Sequence, residues 1–348
     1  MSKLRTRWAL PIPATAAELA EWFRIPLKRL EWLADCECRG HRIAAGPLQH
    51  YNYRWVAKRS GGYRLIEIPK STLKSLQRTI VHEILDAVPA HAAAHGFRRK
   101  RSVISFARPH VAKAVVLRLD LRNFFVSVSA ARVHGIFKTI GYSDSVTQLL
   151  TGLCTNCLPR AALDSYPGYS REFSRSKSLR IFDAPHLPQG APTSPALANL
   201  AAYRLDCRLN ALAGAADAVY TRYADDLLFS GNDELARCGK RFAVQVAAIC
   251  MEEGFAPHWR KTRIMRASVR QHAAGLVLNQ KLNLRRRDFD QLKAILHNCE
   301  RHGPSSQNRA GVAEFRAHLS GRLAHLASIN ENRAAKLKSS FDRIDWRR

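Results

Sequence analysis

Carboxylates are scarce in this chain. Its 348 residues hold 28 Asp plus Glu against 56 Lys plus Arg, a formal charge of +28. Ordinary surface solvation does not need such an excess. A polyanionic partner does, because each phosphate neutralised by a cation releases condensed counterions. A generally basic proteome would give the same composition, so charge alone leaves both readings open. Long apolar runs are also missing. No stretch approaches about 18 uninterrupted apolar residues, so no membrane-spanning helix is expected. The first ten residues carry Arg and Lys but no apolar core of signal-peptide type, and the chain reads as cytoplasmic. Internal repeats and long low-complexity tracts are absent as well. The eight cysteines include a CxxC at Cys154 and Cys157 and a CxC at Cys36 and Cys38 near His41. Neither cluster supplies the four ligands of a zinc site, so reduced structural thiols are expected.

What is present reads as an α+β chain of two or three subdomains. Residues 14–35 carry Leu19, Phe23, Leu27, Leu30 and Leu33 at helical spacing, with Pro26 as a break. Two short helices are expected there, forming an N-terminal appendage over 1–40. Residues 51–69 read as strand, Ser60-Gly61-Gly62 turn, strand. A helix is expected from about Leu73 to Val88. Residues 114–119 form a short apolar run ending on Asp120, which suits a buried strand with a carboxylate at its end. Residues 130–153 look helical. Residues 155–186 hold Pro159, Pro167, Gly168 and Pro185 with little periodicity and read as a loop insertion. One long helix is expected over 192–213, a hairpin around Ala224-Asp225-Asp226, a helix over 233–253 and a strand or hairpin over 275–284. A mixed helix-and-strand core is placed at 41–284. Basic helices fill 285–348, with a loop at Gly303 to Gln307.

The chemistry concentrates at Tyr223-Ala224-Asp225-Asp226. Two adjacent carboxylates between apolar strand-forming runs repel each other, and burial raises that cost. A divalent cation bound to both resolves the conflict, and magnesium takes hard oxygen ligands while leaving positions for phosphates. An Asp-Asp pair is also ordinary turn chemistry. Asp120 is the candidate third carboxylate, although Asp in that position equally serves as a helix cap.

Together these motifs resemble the reverse transcriptase family, in particular bacterial retron-type enzymes. Asp120 with Phe124-Phe125 resembles its first catalytic motif, Leu187-Pro188-Gln189-Gly190-Ala191-Pro192-Thr193-Ser194-Pro195 its template and nucleotide motif, and Tyr223 to Asp226 its YADD hallmark. Arg260-Lys261-Thr262 resembles the lysine motif that follows, and Gln271 with Gly275-Leu276 the primer grip. The matches run in family order from about residue 51 to 285. The upstream Ala94-His95-Gly96-Phe97-Arg98 with Arg101-Ser102 is also retron-like. Three segments depart from the retron pattern. Phe106 replaces an Asn in Phe106-Ala107-Arg108-Pro109-His110, Ala273-Ala274-Gly275 replaces Val-Thr-Gly, and His258 replaces an Asn before the lysine motif.

The resemblance implies a right-hand fold, with an antiparallel palm sheet backed by helices and a basic helical thumb. It implies RNA-directed DNA synthesis with two magnesium ions, manganese being a possible substitute, held by Asp120, Asp225, Asp226 and the Leu121 carbonyl. Lys261 would act as a general acid toward pyrophosphate, or contact the template backbone. Lys58, Arg64, Gln189 and Gly190 would bind the dNTP, and Phe125 would exclude a ribose 2′-hydroxyl. Arg98, Arg101, Gln271, Gly275, Arg285, Arg286 and Arg287 would contact nucleic acid. For any single Arg a solvated surface charge fits equally well. A structured non-coding RNA as template and primer, an RNA–DNA hybrid product, an effector protein and an antiphage role are implied partners and context. The length leaves no room for a nuclease domain, so template removal is expected of another enzyme. The rival expectations are an RNA-binding scaffold of polymerase ancestry and a polymerase making untemplated DNA.

Overall fold

A computed structural model describes residues 8–42, 46, 49–58, 61–167, 180–182 and 184–347. The fold is mixed helix and sheet. Helices α1 (Ala16–Trp22) and α2 (Leu27–Ala34) open the described chain. They are the two short helices expected, and Thr15 caps the first through the Glu18 amide. Leu19, Leu30 and Leu33 are buried in the same hydrophobic cluster as Val115, Leu117 and Phe137. The N-terminal helices therefore share the main core.

Strands β1 (Tyr51–Ala57) and β2 (Tyr63–Pro69) pair antiparallel in register Tyr51 to Pro69. Ser60 of the expected turn lies outside the described residues, while Gly61 and Gly62 both take positive φ. Helix α3 (Ser71–Glu83) follows, starting and ending earlier than its apolar spacing implies. Ser102 and Ser105 form a reciprocal capping box on α4 (Val103–Ala107). Strand β3 (Val115–Arg122) is buried from Val115 to Leu117, as befits a strand flanked on both edges. The helical stretch at 130–153 is two helices, α5 (Ala130–Ile140) and α6 (Asp144–Cys154). Gly141 divides them with φ +114°, a left-handed stop that α5 needs.

Among the described residues of the insertion there is a short helix α7 (Arg160–Asp164) and a 3-10 turn at Arg180–Phe182. Residues 168–179 and 183 lie outside them. The single long helix expected over 192–213 is corrected to α8 (Ser194–Ala201) and α9 (Tyr203–Ala215), separated at Ala202. Ala202 carries no sequence signal of a break. Its ψ is 3°, and on either side of it Asn199 and Asp206, seven residues apart and both buried, lie on one face.

Strands β4 (Val219–Tyr223) and β5 (Asp226–Gly231) form the acidic hairpin, followed by α10 (Asp233–Glu252). Asn232 caps α10 by accepting from the Glu234 and Leu235 amides. The central sheet runs β4-β5-β3, with β6 (Ala256–Pro257) and β7 (Arg263–Arg266) pairing successive halves of β3's other edge. Helices α9 and α10 pack behind it. A small sheet of β8 (His272–Ala273), β9 (Leu276–Val277) and β10 (Asn283–Leu284) follows. Ala274 and Gly275 at the β8–β9 turn both have positive φ, as a two-residue hairpin loop demands. The C-terminal helices α11 (Arg286–His302), α12 (Phe315–Ile329) and α13 (Glu331–Asp342) close a separate core of Leu292, Leu296, Leu319, Leu326 and Leu337.

The cysteine expectation is corrected. Cys38 and Cys157 form a disulfide across 119 residues of sequence, their Cα atoms 5.8 Å apart. The fold lays the end of α2 against the end of α6, which pattern spacing cannot show. The other six cysteines are free thiols.

Candidate active site

The site begins with strand register. On β3 and β5, Asp120 stands directly opposite Asp226, and the Leu121 amide donates to the Asp225 carbonyl at 2.9 Å. On β4 and β5, Tyr223 pairs with Asp226, so Ala224-Asp225 is a two-residue turn. Ala224 sits at φ +54°, a strained place for alanine, of the kind stored at functional turns. Three carboxylates thus meet at one end of the sheet, at the floor of a cleft of about 1160 Å³.

The electrostatics are uneven. Burial, then the charges of Asp226 and Asp120, push the Asp225 carboxyl up to about 6. Burial also raises Asp226, against the pull of Arg118. Arg118 binds both Asp226 oxygens, at 2.7 Å and 3.0 Å from Nη2. Lys261 Nζ donates to both Asp120 oxygens at 3.0 Å and 3.1 Å. The His258 amide donates to the Asp120 carbonyl at 2.7 Å. Among the described residues no group of three or more His, Cys, Asp or Glu side chains is placed to hold a metal ion. Two of the carboxylates are turned onto cationic side chains instead. The donor chemistry still fits a hard divalent cation: three carboxylates line one end of the cleft, and burial with the Asp226 and Asp120 charges raises Asp225, a cost that such an ion would lessen.

The expected nucleotide residues surround the same cleft. Lys58, Arg64, Phe125 and Gln189 line it together with Asp120, Leu121, Asp225, Asp226 and Lys261. Burial, then the neighbouring Arg64 and Lys261 cations, lower the Lys58 pKa. Gly190 backs the loop at φ +136°, where an added Cβ would meet the Glu67 carbonyl at 2.7 Å. Buried Glu67 clamps that loop to β2. Its carboxylate accepts from Asn156 Nδ2 at 2.7 Å and from the Gln189 amide at 3.3 Å, and lies 3.3 Å from His186 Nε2. Burial pushes the His186 pKa down, but the Glu67 hydrogen bond and charge prevail and the net shift is upward.

The remaining expectations fare differently. Gln271 is wholly buried, its amide donating to the Lys113 and Met265 carbonyls at 2.9 Å and 3.1 Å. Its side-chain amide is thus spent on the chain's own backbone. Arg98 spends Nη1 on the carbonyls of His91 and Ala94, both at 2.9 Å. Arg101, Arg286 and Arg287 are exposed, Gly275 lies in an open turn, and Arg285 is half-buried at the start of α11.

Sequence reading missed Arg118 and Phe97. Arg118 had a signal, since it lies two residues before Asp120 and shares its strand face. Phe97, half exposed at φ +59°, borders the cleft with its ring 5.9 Å from Phe125 and 6.3 Å from Tyr223. Only the retron-like segment around it hinted at a place in the site.

Residues 56–292 match the family described as Reverse transcriptase (RNA-dependent DNA polymerase). The chain belongs to the reverse transcriptase family. Among curated relatives it is 39% identical over 294 residues to the Retron Mx65 reverse transcriptase of Myxococcus xanthus, covering 83% of this chain and 64% of that protein. It is 34% identical over 341 residues to the Retron Mx162 reverse transcriptase of the same organism, covering 91% and 67%. It is 30% identical over 285 residues to the Retron Ec86 reverse transcriptase of Escherichia coli, covering 81% and 77%. The chain thus spans about two thirds of the Myxococcus relatives, and within the family it is of the retron type. No helix among the described residues is long and apolar enough to cross a membrane.

Proposed function

We propose that this chain is an RNA-directed DNA polymerase that copies a structured non-coding RNA, as its resemblance to retron-type enzymes implies. The observation that carries the reading is the meeting of Asp120, Asp225 and Asp226 at one end of the sheet, in a cleft also lined by Lys58, Arg64, Phe125 and Gln189. The central sheet with α9 and α10 would be the palm, the β1–β2 hairpin and the 145–190 region the fingers, and α11 to α13 the thumb. Two magnesium ions, or manganese in their place, would be held by the three carboxylates and the Leu121 carbonyl. When bound, such ions activate a primer hydroxyl and stabilise the departing pyrophosphate.

The chain's own residues do the rest. Arg118 balances Asp226 and Lys261 balances Asp120. Lys261, 3.0 Å from Asp120, would hold or give a proton at Nζ to the leaving group. Arg64 and Lys58 grip triphosphate, Arg in the bidentate manner phosphate favours. Gln189 faces the incoming nucleotide from a loop fixed by Glu67. Phe125 closes the sugar side and favours deoxynucleotides. Arg101, Arg286 and Arg287 hold duplex backbone through phosphates, as A-form duplexes are mainly held. An effector partner and an antiphage role follow from the retron reading.

The test is purification from the native locus, then sequencing of the bound nucleic acid after RNase or DNase treatment. A short defined DNA joined to a structured RNA, lost in Asp225→Asn/Asp226→Asn, is the expected result. RNA alone, unchanged in that variant, would replace this reading with an RNA-binding scaffold.

A further inference from the structure

Behind the acidic turn lies a fully buried arginine. Arg222, on β4, donates Nε and Nη2 to the two oxygens of Asp206 at 2.8 Å and 2.7 Å. Its Nη1 donates to Asn199 Oδ1 at 2.9 Å and to the Ala224 carbonyl at 3.2 Å. The Tyr220 hydroxyl donates to Asp206 at 2.8 Å, and the Phe124 ring lies 5.6 Å from the guanidinium carbon. Asn199 turns its amide to the Gly96 carbonyl at 2.9 Å. The main chain of Arg222 also pairs with this upstream segment, accepting from the His95 amide and donating to the Ala93 carbonyl, both at 2.7 Å. Gly96 in turn presses on the turn so closely that a Cβ there would sit 2.7 Å from the Ala224 amide nitrogen.

One guanidinium therefore joins α8 after the Pro-Gln-Gly loop, α9 and the turn carrying Asp225, and the segment carrying Phe97 is tied in through the Arg222 main chain and the Asn199 amide. A buried ion pair is a poor device for stability, since well-packed apolar residues do as well or better. What a planar fork with five donors adds is direction. Here it directs the Ala224 carbonyl, in a residue held at positive φ immediately before Asp225.

We propose that Arg222, oriented by Asp206 and Asn199, is a positioning residue that sets the peptide carrying Asp225 against the Gly96–Phe97 wall of the cleft. The inference rests on the polymerase reading above. It makes the nucleotide side and the carboxylate side of the cleft one rigid unit. Loosening it displaces Asp225 without touching the surfaces that bind template or dNTP. Misplacement of a catalytic group by about 1 Å lowers rate on the order of 100-fold.

Three variants test this. Asn199→Ala frees the Gly96 carbonyl and one Arg222 contact while leaving the ion pair intact. Arg222→Lys keeps the charge beside Asp206 but lacks the fork that reaches Asn199 and Ala224. Asp206→Met with Arg222→Met replaces the pair by apolar packing. Each is measured for dNTP KM, kcat, template–primer affinity, urea stability and hydrogen exchange at the Leu121 amide, which donates to the Asp225 carbonyl. The expected result is a kcat lowered about tenfold in Asn199→Ala and about 100-fold in the other two, on the scale of a misplaced group. KM and affinity stay near wild type, and Leu121 exchange becomes faster. Wild-type kcat in the double Met variant overturns the proposal. Should that variant fail to fold, unchanged kcat in both Asn199→Ala and Arg222→Lys overturns it. So does a raised KM at constant kcat. A wild-type protein without RNA-templated synthesis defeats the polymerase reading alone, because exchange at Leu121 still reports whether Arg222 holds the turn. Unchanged exchange in all three variants defeats the positioning role.

Discussion

His110 gives the sharpest pH test of the structure. It ends the 3-10 turn after α4 and is wholly buried against the β4–β5 hairpin, with Nε2 2.8 Å from Thr221 Oγ1 and Nδ1 2.7 Å from Ser230 Oγ. The Thr221 hydroxyl donates to the Phe106 carbonyl at 3.0 Å, so it accepts from Nε2–H, and Nδ1 accepts from Ser230. The imidazole is therefore neutral, and burial lowers its pKa from 6.5 to about 3. A base whose folded pKa is depressed contributes stability that is present above its unfolded pKa. That stability is lost as the pH falls toward the folded value. Because the folded value lies well below 5, the loss between pH 7 and pH 5 is set by the unfolded imidazole alone and amounts to about 2 kcal/mol. The perturbation is His110→Gln, which keeps a polar side chain but does not titrate. Urea unfolding of both proteins at pH 7 and pH 5 supplies a double difference in which every other titrating group cancels. Wild type should lose about 2 kcal/mol more than the variant over that interval. Equal losses would refute the buried neutral histidine.

Gly190→Ala puts a Cβ 2.7 Å from the Glu67 carbonyl at φ +136°. That strain, about 1–3 kcal/mol, should lift the loop off β2 and raise dNTP KM about tenfold in steady-state kinetics, with RNA affinity intact. An unchanged KM would remove this loop from the nucleotide site. Phe125→Ala should erode the preference for dNTP over rNTP in single-nucleotide incorporation, and an unaltered preference would move the gate elsewhere. Lys261→Met should lower kcat about 100-fold or more, in the range of general acid catalysis. An unchanged kcat would leave Lys261 only its pairing with Asp120.

The legibility of this chain followed the range of each interaction. The acidic hairpin was readable because two apolar strand-forming runs flank a two-residue turn, and the structure pairs Tyr223 with Asp226 accordingly. The β1–β2 hairpin was readable from its glycines. Ala202 gave no warning of a helix break, because alanine is the best helix former and no Gly or Pro stands beside it. Likewise Cys38 finds Cys157 across 119 residues while Cys36 and Cys154 lie nearer in sequence to each. The burial of Gln271 was not legible, because its amide donates to the backbone carbonyls of Met265 and of Lys113, the latter far away in the sequence. In the site, the three aspartates were legible as a family pattern. Arg118, which answers Asp226, follows only from strand periodicity once β3 is known.

The central claim is that this protein makes DNA from RNA with Asp120, Asp225 and Asp226. Its most direct test is extension of a primed RNA template with labelled dNTPs and magnesium, comparing the purified chain with Asp225→Asn/Asp226→Asn. The account predicts template-length DNA from the wild type and none from the variant, with equal RNA binding by both. Equal synthesis by the two proteins, or none by a wild type that binds the primed template, would contradict it.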